Sequence, residues 1–260
     1  MQHIPFFVDQ HALFLDFDGT LVNIAPEPNA VEQPAGMPQL LLHLQGLLGG
    51  AMAIVTGRHI TDIDQLLSPT VLPVAGEHGA QRRSHDGLWH LTDLTCSTAQ
   101  HAFMLRAASL LAEQYDALWL EPKDAGFALH YRSAPALAQL CWEHLAPLME
   151  RIPDWSLISG KYGLEMRPRA VDKGTAVASF MQEDAFAGRV PVFIGDDAAD
   201  EDGFNAAQEA GGYGIKVGDG PSAAQYRWAH PAAVHAWLQH IAEHAPVYNT
   251  RPPPSMAHAH

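Results

Sequence analysis

The sequence predicts an α/β fold in which an open parallel sheet, flanked by helices, carries an inserted α+β unit. Three short apolar runs indicate the sheet: ALFLDFDGT from residue 12, AMAIVTGR from residue 51 and VPVFIGDD from residue 190. Each run ends abruptly in polar residues and glycine, which is typical of strands that are buried on both faces. Apolar residues at helical spacing in residues 40–48 and 176–181 supply the alternation of strands with helices.

The inserted unit is predicted by the length of the segment at residues 58–173, which is too long for a crossover between parallel strands. The segment contains four strand-like stretches, of which the first two are joined around PKDAG and the last two by a turn with two glycines. Two amphipathic helices are expected with them, at about residues 99–114 and 137–148. This pattern predicts a small α+β unit.

The predicted domain boundaries follow from these elements. Residues 1–80 and 168–250 should form the larger unit, and residues 81–167 the inserted one. Residues 251–260 are rich in proline and small residues that cannot pack, so we expect a disordered tail there.

Composition excludes several classes of protein. The formal net charge of −14, from 29 acidic and 15 basic residues, argues against a nucleic-acid partner or an anionic membrane. Cys96 and Cys141 are far apart and lack the spacing of a zinc site, so neither a disulfide framework nor a structural metal is indicated. No basic leader segment or membrane-length apolar run is present in the sequence. We therefore expect a cytoplasmic globular protein, acting as a monomer.

Two carboxylates, Asp16 and Asp18, follow the first apolar run, and strand alternation is expected to direct both to one side. Carboxylates that face each other repel, so such a pair is stable when a cation neutralises it or when one member holds a proton. Both conditions suit phosphoryl transfer. For this motif alone, the alternative is a polar exit from a strand formed by Asp-Gly-Thr.

More carboxylates follow the third run, where Asp196 and Asp197 precede Asp200, Glu201 and Asp202. Acidic residues favour helix N-termini, which accounts for the last three but not for the first two. Oxygen ligands without histidine or cysteine are typical of a hard cation. The sequence therefore predicts a Mg²⁺ site with Asp196 as a ligand.

A phosphate site is predicted from Lys173, which begins a predicted helix although a cation there opposes the helix dipole. Its charge, the dipole and free backbone N–H groups would converge on a phosphate. Thr56 and Gly57, at the end of the second run, offer a hydroxyl and an amide to the same phosphate. A solvated surface lysine is the alternative. Ligands of open parallel sheets bind beyond the carboxyl ends of the strands, so we expect all these groups to meet there.

Taken together, these segments resemble the four motifs of the haloacid dehalogenase superfamily, in their order: DFDGT, the strand-end Thr56, Lys173 and GDDAADE. The resemblance implies a Rossmann-like parallel-sheet core with an inserted α+β cap. It also implies that Asp16 attacks phosphorus, and that Asp18 protonates the leaving group and then activates water. Members that are dehalogenases lack the second aspartate, so Asp18 indicates phosphatase or mutase chemistry.

The resemblance further implies how the cation is held. The ligands of Mg²⁺ would be Asp16, the backbone carbonyl of Asp18, and Asp196. Asp197 and Asp200 would support the ligands of this site without binding the cation themselves.

Longer signatures narrow the resemblance to bacterial trehalose-6-phosphate phosphatases, over residues from about Phe7 to Leu238. They include FLDFDGTL, AGEHGAQRR, GKYGLEMRPRAVDKG and GGYGIKVG. The final motif departs from the family pattern, because Ala199 stands where the family usually has threonine. A supporting hydroxyl is therefore missing.

The same resemblance implies that the cap closes over a sugar, with Gly160, Lys161 and Glu165 touching its hydroxyls and Lys123 adding a further contact. Strand alternation in GLEMRP agrees in part, since it directs Glu165 away from its apolar neighbours. For Lys161 the alternative is a solvated turn lysine. Other polar groups in the same region are further candidates: Arg132 for the sugar, together with His78, His130 and Arg167.

The resemblance therefore implies hydrolysis of trehalose 6-phosphate to trehalose and phosphate through an aspartyl-phosphate, the last step of trehalose biosynthesis. Alternatives are a phosphatase of another sugar phosphate, such as sucrose 6-phosphate, or a hexose phosphomutase. From a different class, the chain could be a catalytically silent sensor of trehalose 6-phosphate.

Overall fold

The structure is a computed structural model that describes residues 4–24, 31–92, 98–160 and 162–245. Cys96, Lys161 and the predicted tail at residues 251–260 lie outside these ranges. Within them, the strands form one sheet of eight and another of four. In chain order the strands are β1 (His11–Leu15), β2 (Met52–Val55), β3 (Val74–Gly76), β4 (Gln81–Arg83), β5 (Trp89–Leu91), β6 (Trp119–Lys123), β7 (Gly126–His130), β8 (Trp155–Ser159), β9 (Gly163–Pro168), β10 (Val190–Gly195), β11 (Tyr213–Val217) and β12 (Tyr226–Trp228).

The helices of the described residues alternate with strands of the larger sheet or accompany the smaller one. In chain order they are α1 (Met37–Leu47), α2 (Ile60–Leu66), α3 (Thr98–Ala112), α4 (Ala138–Leu145), α5 (Lys173–Phe180), α6 (Asp200–Glu209) and α7 (Pro231–His244). None of these helices is long and apolar enough to cross a membrane.

The larger sheet has the strand order β12-β11-β10-β1-β2-β3-β4-β5, and neighbouring strands from β12 to β3 are parallel. β1, β10 and β2 lie at its centre and correspond to the three apolar runs. Every residue of β1 and β2 is buried, as expected for strands covered on both faces. Burying each large apolar side chain contributes about 1.5–3 kcal/mol. The predicted α/β fold with a parallel sheet is confirmed.

The smaller sheet is antiparallel, with the order β6-β7-β9-β8, and it packs against α3 and α4. Strand alternation separates its two faces. Phe127, Leu129, Leu164 and Met166 lie on the face that packs into an apolar core with the two helices. Polar side chains lie on the other face. The four predicted strands and both predicted helices of the insertion are therefore present.

Residue 81, the predicted start of the inserted unit, lies within the larger sheet. β4 and β5 continue the larger sheet, because β4 pairs with β3 and β5 pairs with β4, both antiparallel. The short turns of this meander keep residues 81–91 with the sheet that precedes them. Among the described residues, the elements of the smaller unit therefore begin with α3 and end with β9.

The loop between β3 and β4 fastens the two units together. The carboxylate of Glu77 accepts hydrogen bonds from the backbone N–H groups of Asp124 and Ala125, both at 3.1 Å, in the turn between β6 and β7. Gln81 donates to the Asp124 carboxylate at 2.7 Å. Glu77 and His78 have φ of 47° and 59°, in the left-handed region that disfavours residues with a Cβ. The hydrogen bonds to the turn between β6 and β7, together with the paired strands β3 and β4, hold the loop in this conformation.

Candidate active site

The strand ends of the larger sheet bring the predicted residues to one edge. Asp16 follows β1, Thr56 and Gly57 follow β2, and Asp196 follows β10; β1 lies between the other two strands. Lys173 is the first residue of α5, whose N-terminus is capped by the residue before it. Because parallel strands end on the same side, the topology explains why residues distant in sequence meet.

Lys173 lies between two buried carboxylates. Its Nζ is 2.7 Å from Oδ1 of Asp16 and 2.7 Å from Oδ1 of Asp200. Burial raises the pKa of Asp16 to about 7, although Lys173 acts in the opposite direction. Burial acts to lower the pKa of Lys173, but the two carboxylates outweigh it and raise that pKa well above its ordinary value. The ammonium group is therefore fixed as a cation beside Asp16.

Three carboxylates form a cluster that could hold a divalent cation. Asp16, Asp196 and Asp200 each place one oxygen so that all three lie within 4.8 Å of one another, and all three residues are buried. The other oxygen of Asp200 accepts the backbone N–H groups of Asp196 and Asp197, at 2.8 and 2.9 Å. Lys173 supplies one positive charge to these three carboxylates, and burial raises the pKa of Asp200 as it does that of Asp16. A hard divalent cation fits this oxygen donor set and would supply the missing positive charge.

The two carboxylates of the DFDGT motif have different partners. Asp18 receives two hydrogen bonds from Arg58, from Nε at 2.5 Å and from Nη2 at 2.8 Å. β1 ends at Leu15, so strand alternation no longer governs the direction of the Asp18 side chain. Arg58 follows the second predicted strand, and its position there was the only sequence signal for this pair. The structure therefore separates the carboxylate of Asp18 from the buried cluster around Asp16.

Thr56 and Gly57 contact the rest of the site in different ways. Thr56 is fully buried, and its Oγ1 accepts the backbone N–H of Arg58 at 3.2 Å. The carbonyl of Gly57 accepts a hydrogen bond from Nζ of Lys123 at 2.8 Å. A Cβ on Gly57 would lie 2.8 Å from the His78 ring, so a side chain there would displace that ring.

Lys216, on β11, contributes to the site although its sequence context gave no signal for it. Its Nζ donates to the backbone carbonyl of Asp196 at 2.6 Å and is buried. Asp197 supports the same loop by accepting the backbone N–H of Ala199 at 2.9 Å. Ala199 precedes α6, and its side chain has no group that could accept a hydrogen bond from the first turn of that helix.

A cavity of about 360 Å³ lies between the two units. Asp18, Gly57, Asp196 and Asp197 line it from the larger sheet. From the smaller unit it is lined by four of the five residues predicted to bind the sugar; these are Lys123, Arg132, Gly160 and Glu165. The structure thus brings Asp18, Gly57 and Asp196 into one cavity with these residues, whereas Asp16, Thr56 and Lys173 are buried beside it and do not line it.

Glu165 is the centre of the polar contacts where the smaller sheet meets the larger one. One oxygen lies 2.7 Å from Nε2 of His78, and the other accepts from Nζ of Lys123 at 3.2 Å. Burial lowers the pKa of His78 to about 4, so its ring is neutral at pH 7. Burial acts to raise the pKa of Glu165, but the neighbouring His78 and Lys123 outweigh it and hold that pKa well below its usual range. Nε2 of His78 must therefore carry the proton that is donated to the carboxylate.

Gly19 is required where the chain turns beneath the acidic cluster. Its φ is +84°, and an added Cβ would overlap the Asp196 carboxylate. We expect Gly19→Ala to lower the free energy of unfolding by about 1–2 kcal/mol through backbone strain, and also to weaken the binding of a divalent cation at the acidic cluster. Thermal unfolding would measure the first effect, and calorimetric titration with divalent cations the second.

Gly36 offers a matched control for that substitution, because its φ is +79° and no atom lies within 4 Å of an added Cβ. Gly36→Ala should share the loss of stability and keep the cation affinity of the wild type. Equal cation affinities in the two variants would contradict the proposed contact between residue 19 and the cation site.

The larger sheet, with a lysine and clustered carboxylates at its carboxyl edge, has the fold of solved phosphatases of the haloalkanoate (HAD) enzyme superfamily. One of them, from Bacteroides thetaiotaomicron, has a TM-score of 0.58 and 18% identity, covering 93% of this chain and 98% of that one. The C-terminal domain of the trehalose-6-phosphate phosphatase of C. albicans has a TM-score of 0.82 and 21% identity, covering 90% of this chain and 92% of that domain.

Sequence similarity narrows the class. A family model described as trehalose-phosphatase matches residues 14–232. The trehalose-6-phosphate phosphatase of Escherichia coli (strain K12) is 39% identical over 236 residues, which cover 89% of this chain and 86% of that protein. The chain belongs to the trehalose-phosphatase family, whose members are phosphoric monoester hydrolases, and the resemblance inferred from its motifs is confirmed.

Proposed function

We propose that the chain hydrolyses trehalose 6-phosphate to trehalose and phosphate, through an aspartyl-phosphate on Asp16. The observation that carries this proposal is the single cavity that joins the Asp196 edge of the larger sheet to Lys123 and Glu165 of the smaller sheet. Family membership supports the same substrate. A phosphate would bind at the strand ends while the sugar lies against the smaller sheet, which acts as a cap.

In the first step, a carboxylate oxygen of Asp16 attacks phosphorus and the bond from phosphorus to the sugar oxygen breaks. Lys173, 2.7 Å from Asp16, orients the nucleophile and offsets charge on the phosphoryl oxygens. Asp18 gives its proton to the departing sugar oxygen. To act as an acid, Asp18 must first give up the two hydrogen bonds from Arg58 and take up a proton.

In the second step, water attacks the phosphorus of the aspartyl-phosphate. Asp18, now ionised, takes the proton from that water, and the carboxylate of Asp16 is released with inorganic phosphate. The two steps together return both aspartates to their starting protonation states.

We propose Mg²⁺ as the divalent cation, held by Asp16 and Asp196 and by the backbone carbonyl of Asp18. When bound, it would withdraw charge from the phosphoryl oxygens and offset the repulsion between nucleophile and phosphate. Asp200, with its two backbone hydrogen bonds and its contact to Lys173, fixes the loop that carries Asp196. Asp197 supports that loop through Ala199.

A panel of substrates tests the proposed function. With Mg²⁺, purified protein should release phosphate from trehalose 6-phosphate with a kcat/KM about 100-fold or more above that for sucrose 6-phosphate, because unmatched hydroxyls leave buried polar groups without partners. Equal or faster release from sucrose 6-phosphate would overturn the substrate. Interconversion of hexose phosphates without release would indicate a mutase, and magnesium-dependent binding without turnover would indicate a sensor.

A further inference from the structure

The face of the smaller sheet that lines the cavity extends well beyond Lys123 and Glu165. This face of β6 carries every second residue of the strand, which are Trp119, Glu121 and Lys123, and all three line the cavity. Lys123 lies at the end that contacts Gly57. Trp119 is four residues away along the same strand, so the two positions are separated by about 13 Å. The cavity therefore has a second end, remote from the strand ends of the larger sheet.

Trp119 is a large apolar side chain that remains 49% exposed at this second end. Trp89 and Trp142 are also exposed, and single exposed apolar residues are common on protein surfaces. Trp119 differs from both because its ring lines the cavity that the proposed substrate would enter. Packing of the smaller unit does not explain it, since the core of that unit lies on the opposite face of the sheet.

The Trp119 ring is held in place by its neighbours. It is stacked on the ring of His130, its partner across β6 and β7, with 4.6 Å between centroids and 20° between planes. His130 is fixed in turn by Glu121, whose Oε2 lies 2.7 Å from its Nε2. An aromatic ring that is oriented before a ligand arrives loses little conformational entropy on binding.

The C–H faces of a pyranose ring are apolar, whereas its hydroxyls point outwards around the edge. An aromatic ring within a cavity of polar groups matches this pattern, because the ring covers an apolar face while the polar groups bind the hydroxyls. Glu121 and Arg132, which also line the cavity, supply polar groups around Trp119.

We propose that Trp119, oriented by His130 and Glu121, is the platform on which the sugar ring farther from the phosphate stacks. This proposal rests on the proposed function and adds a specificity determinant to it. A monosaccharide phosphate bound at the strand ends would not reach this position, whereas a disaccharide phosphate would. Trp119 therefore sets the preference for a substrate with two rings.

Trp119→Ala should lower kcat/KM for trehalose 6-phosphate about tenfold, mainly through KM, since stacking of this kind is worth about one factor of ten. The inhibition constant of inorganic phosphate, which occupies only the other end of the cavity, should stay within about twofold of wild type. Trp119→Phe keeps a flat ring and should retain most of the affinity, whereas Trp119→Leu should behave like the alanine variant.

Trp142→Ala is the matched control, because this tryptophan lies on α4 of the same unit and is similarly exposed. It should keep the wild-type KM. A Trp119→Leu variant with wild-type KM would overturn the platform, and so would an equal change in KM and in the phosphate inhibition constant. Absence of trehalose 6-phosphate hydrolysis by the wild-type protein would instead overturn the proposed function, which separates the two failures.

Discussion

Replacing Asp16 by asparagine is expected to lower kcat by roughly 10⁴-fold or more while the protein stays folded. The amide cannot attack phosphorus as a carboxylate does, and no other described carboxylate occupies its position beside Lys173 except Asp200, which is fixed by two backbone hydrogen bonds. Steady-state phosphate release gives kcat. Acid quenching with radiolabelled substrate should trap phosphate on the wild-type protein and none on the variant.

The stability of the Asp16→Asn variant separates chemistry from folding. Burial raises the pKa of Asp16 to about 7. Above that pH the carboxyl is ionised in both states, and because the buried carboxylate is poorly hydrated, the free energy of unfolding is lower than it is at low pH. Without added Mg²⁺ at pH 8, the Tm of the variant should therefore equal or exceed that of wild type. Asp172→Asn, which keeps a capping side chain before α5, is the matched control and should retain activity. Near-normal turnover by Asp16→Asn would overturn the nucleophile.

Replacing Lys173 by methionine is expected to damage both stability and turnover. The ammonium group lies 2.7 Å from both Asp16 and Asp200, and its loss leaves two buried carboxylates without that cation. Breaking a buried ion pair in this way costs about 3–5 kcal/mol. For a chain of this size we expect a fall in Tm of roughly 10 °C, and kcat should fall by roughly 10³-fold because nucleophile and phosphate then repel each other.

A second substitution tests that explanation. Removing one of the stranded charges in Lys173→Met/Asp200→Asn should restore part of the lost Tm without restoring turnover. Added Mg²⁺ should stabilise Lys173→Met more than it stabilises wild type, since the cation then meets less competing positive charge. If Lys173→Met unfolds at the wild-type temperature, the ammonium group of Lys173 does not stabilise the folded protein through Asp16 and Asp200.

The parts of the fold that the sequence predicted are those set by long apolar patterns. Buried strands are indicated by the apolar runs that start at residues 12, 51 and 190. An amphipathic helix is indicated by the helical spacing of apolar residues around residues 40–48. β4 and β5 carried no such pattern: they are three residues each, and β5 is exposed along its whole length. Their assignment depends on pairing with β3, which is a long-range contact and not a local preference.

Side-chain contacts in the site were predictable where topology alone decides them. The meeting of Asp16 with Asp196 follows from neighbouring parallel strands. The pair between Asp18 and Arg58 does not, because both residues lie in loops beyond their strands, where direction is set by tertiary packing. Lys216 lies inside a buried strand, and only the structure shows that its ammonium group reaches a backbone carbonyl.

The attachment of the smaller sheet through the Glu77 loop has a mechanical consequence. The turn held by Glu77 and the contact of Lys123 with Gly57 lie at one end of that sheet. The contact of Glu165 with His78 lies level with Glu121, halfway along β6. Trp119 lies about 13 Å along β6 from the end at Lys123. A rotation of 10° about that end would move the tryptophan by about 2 Å and Lys123 hardly at all. Such a rotation would leave the cavity near Gly57 almost unchanged and would widen or narrow it near Trp119.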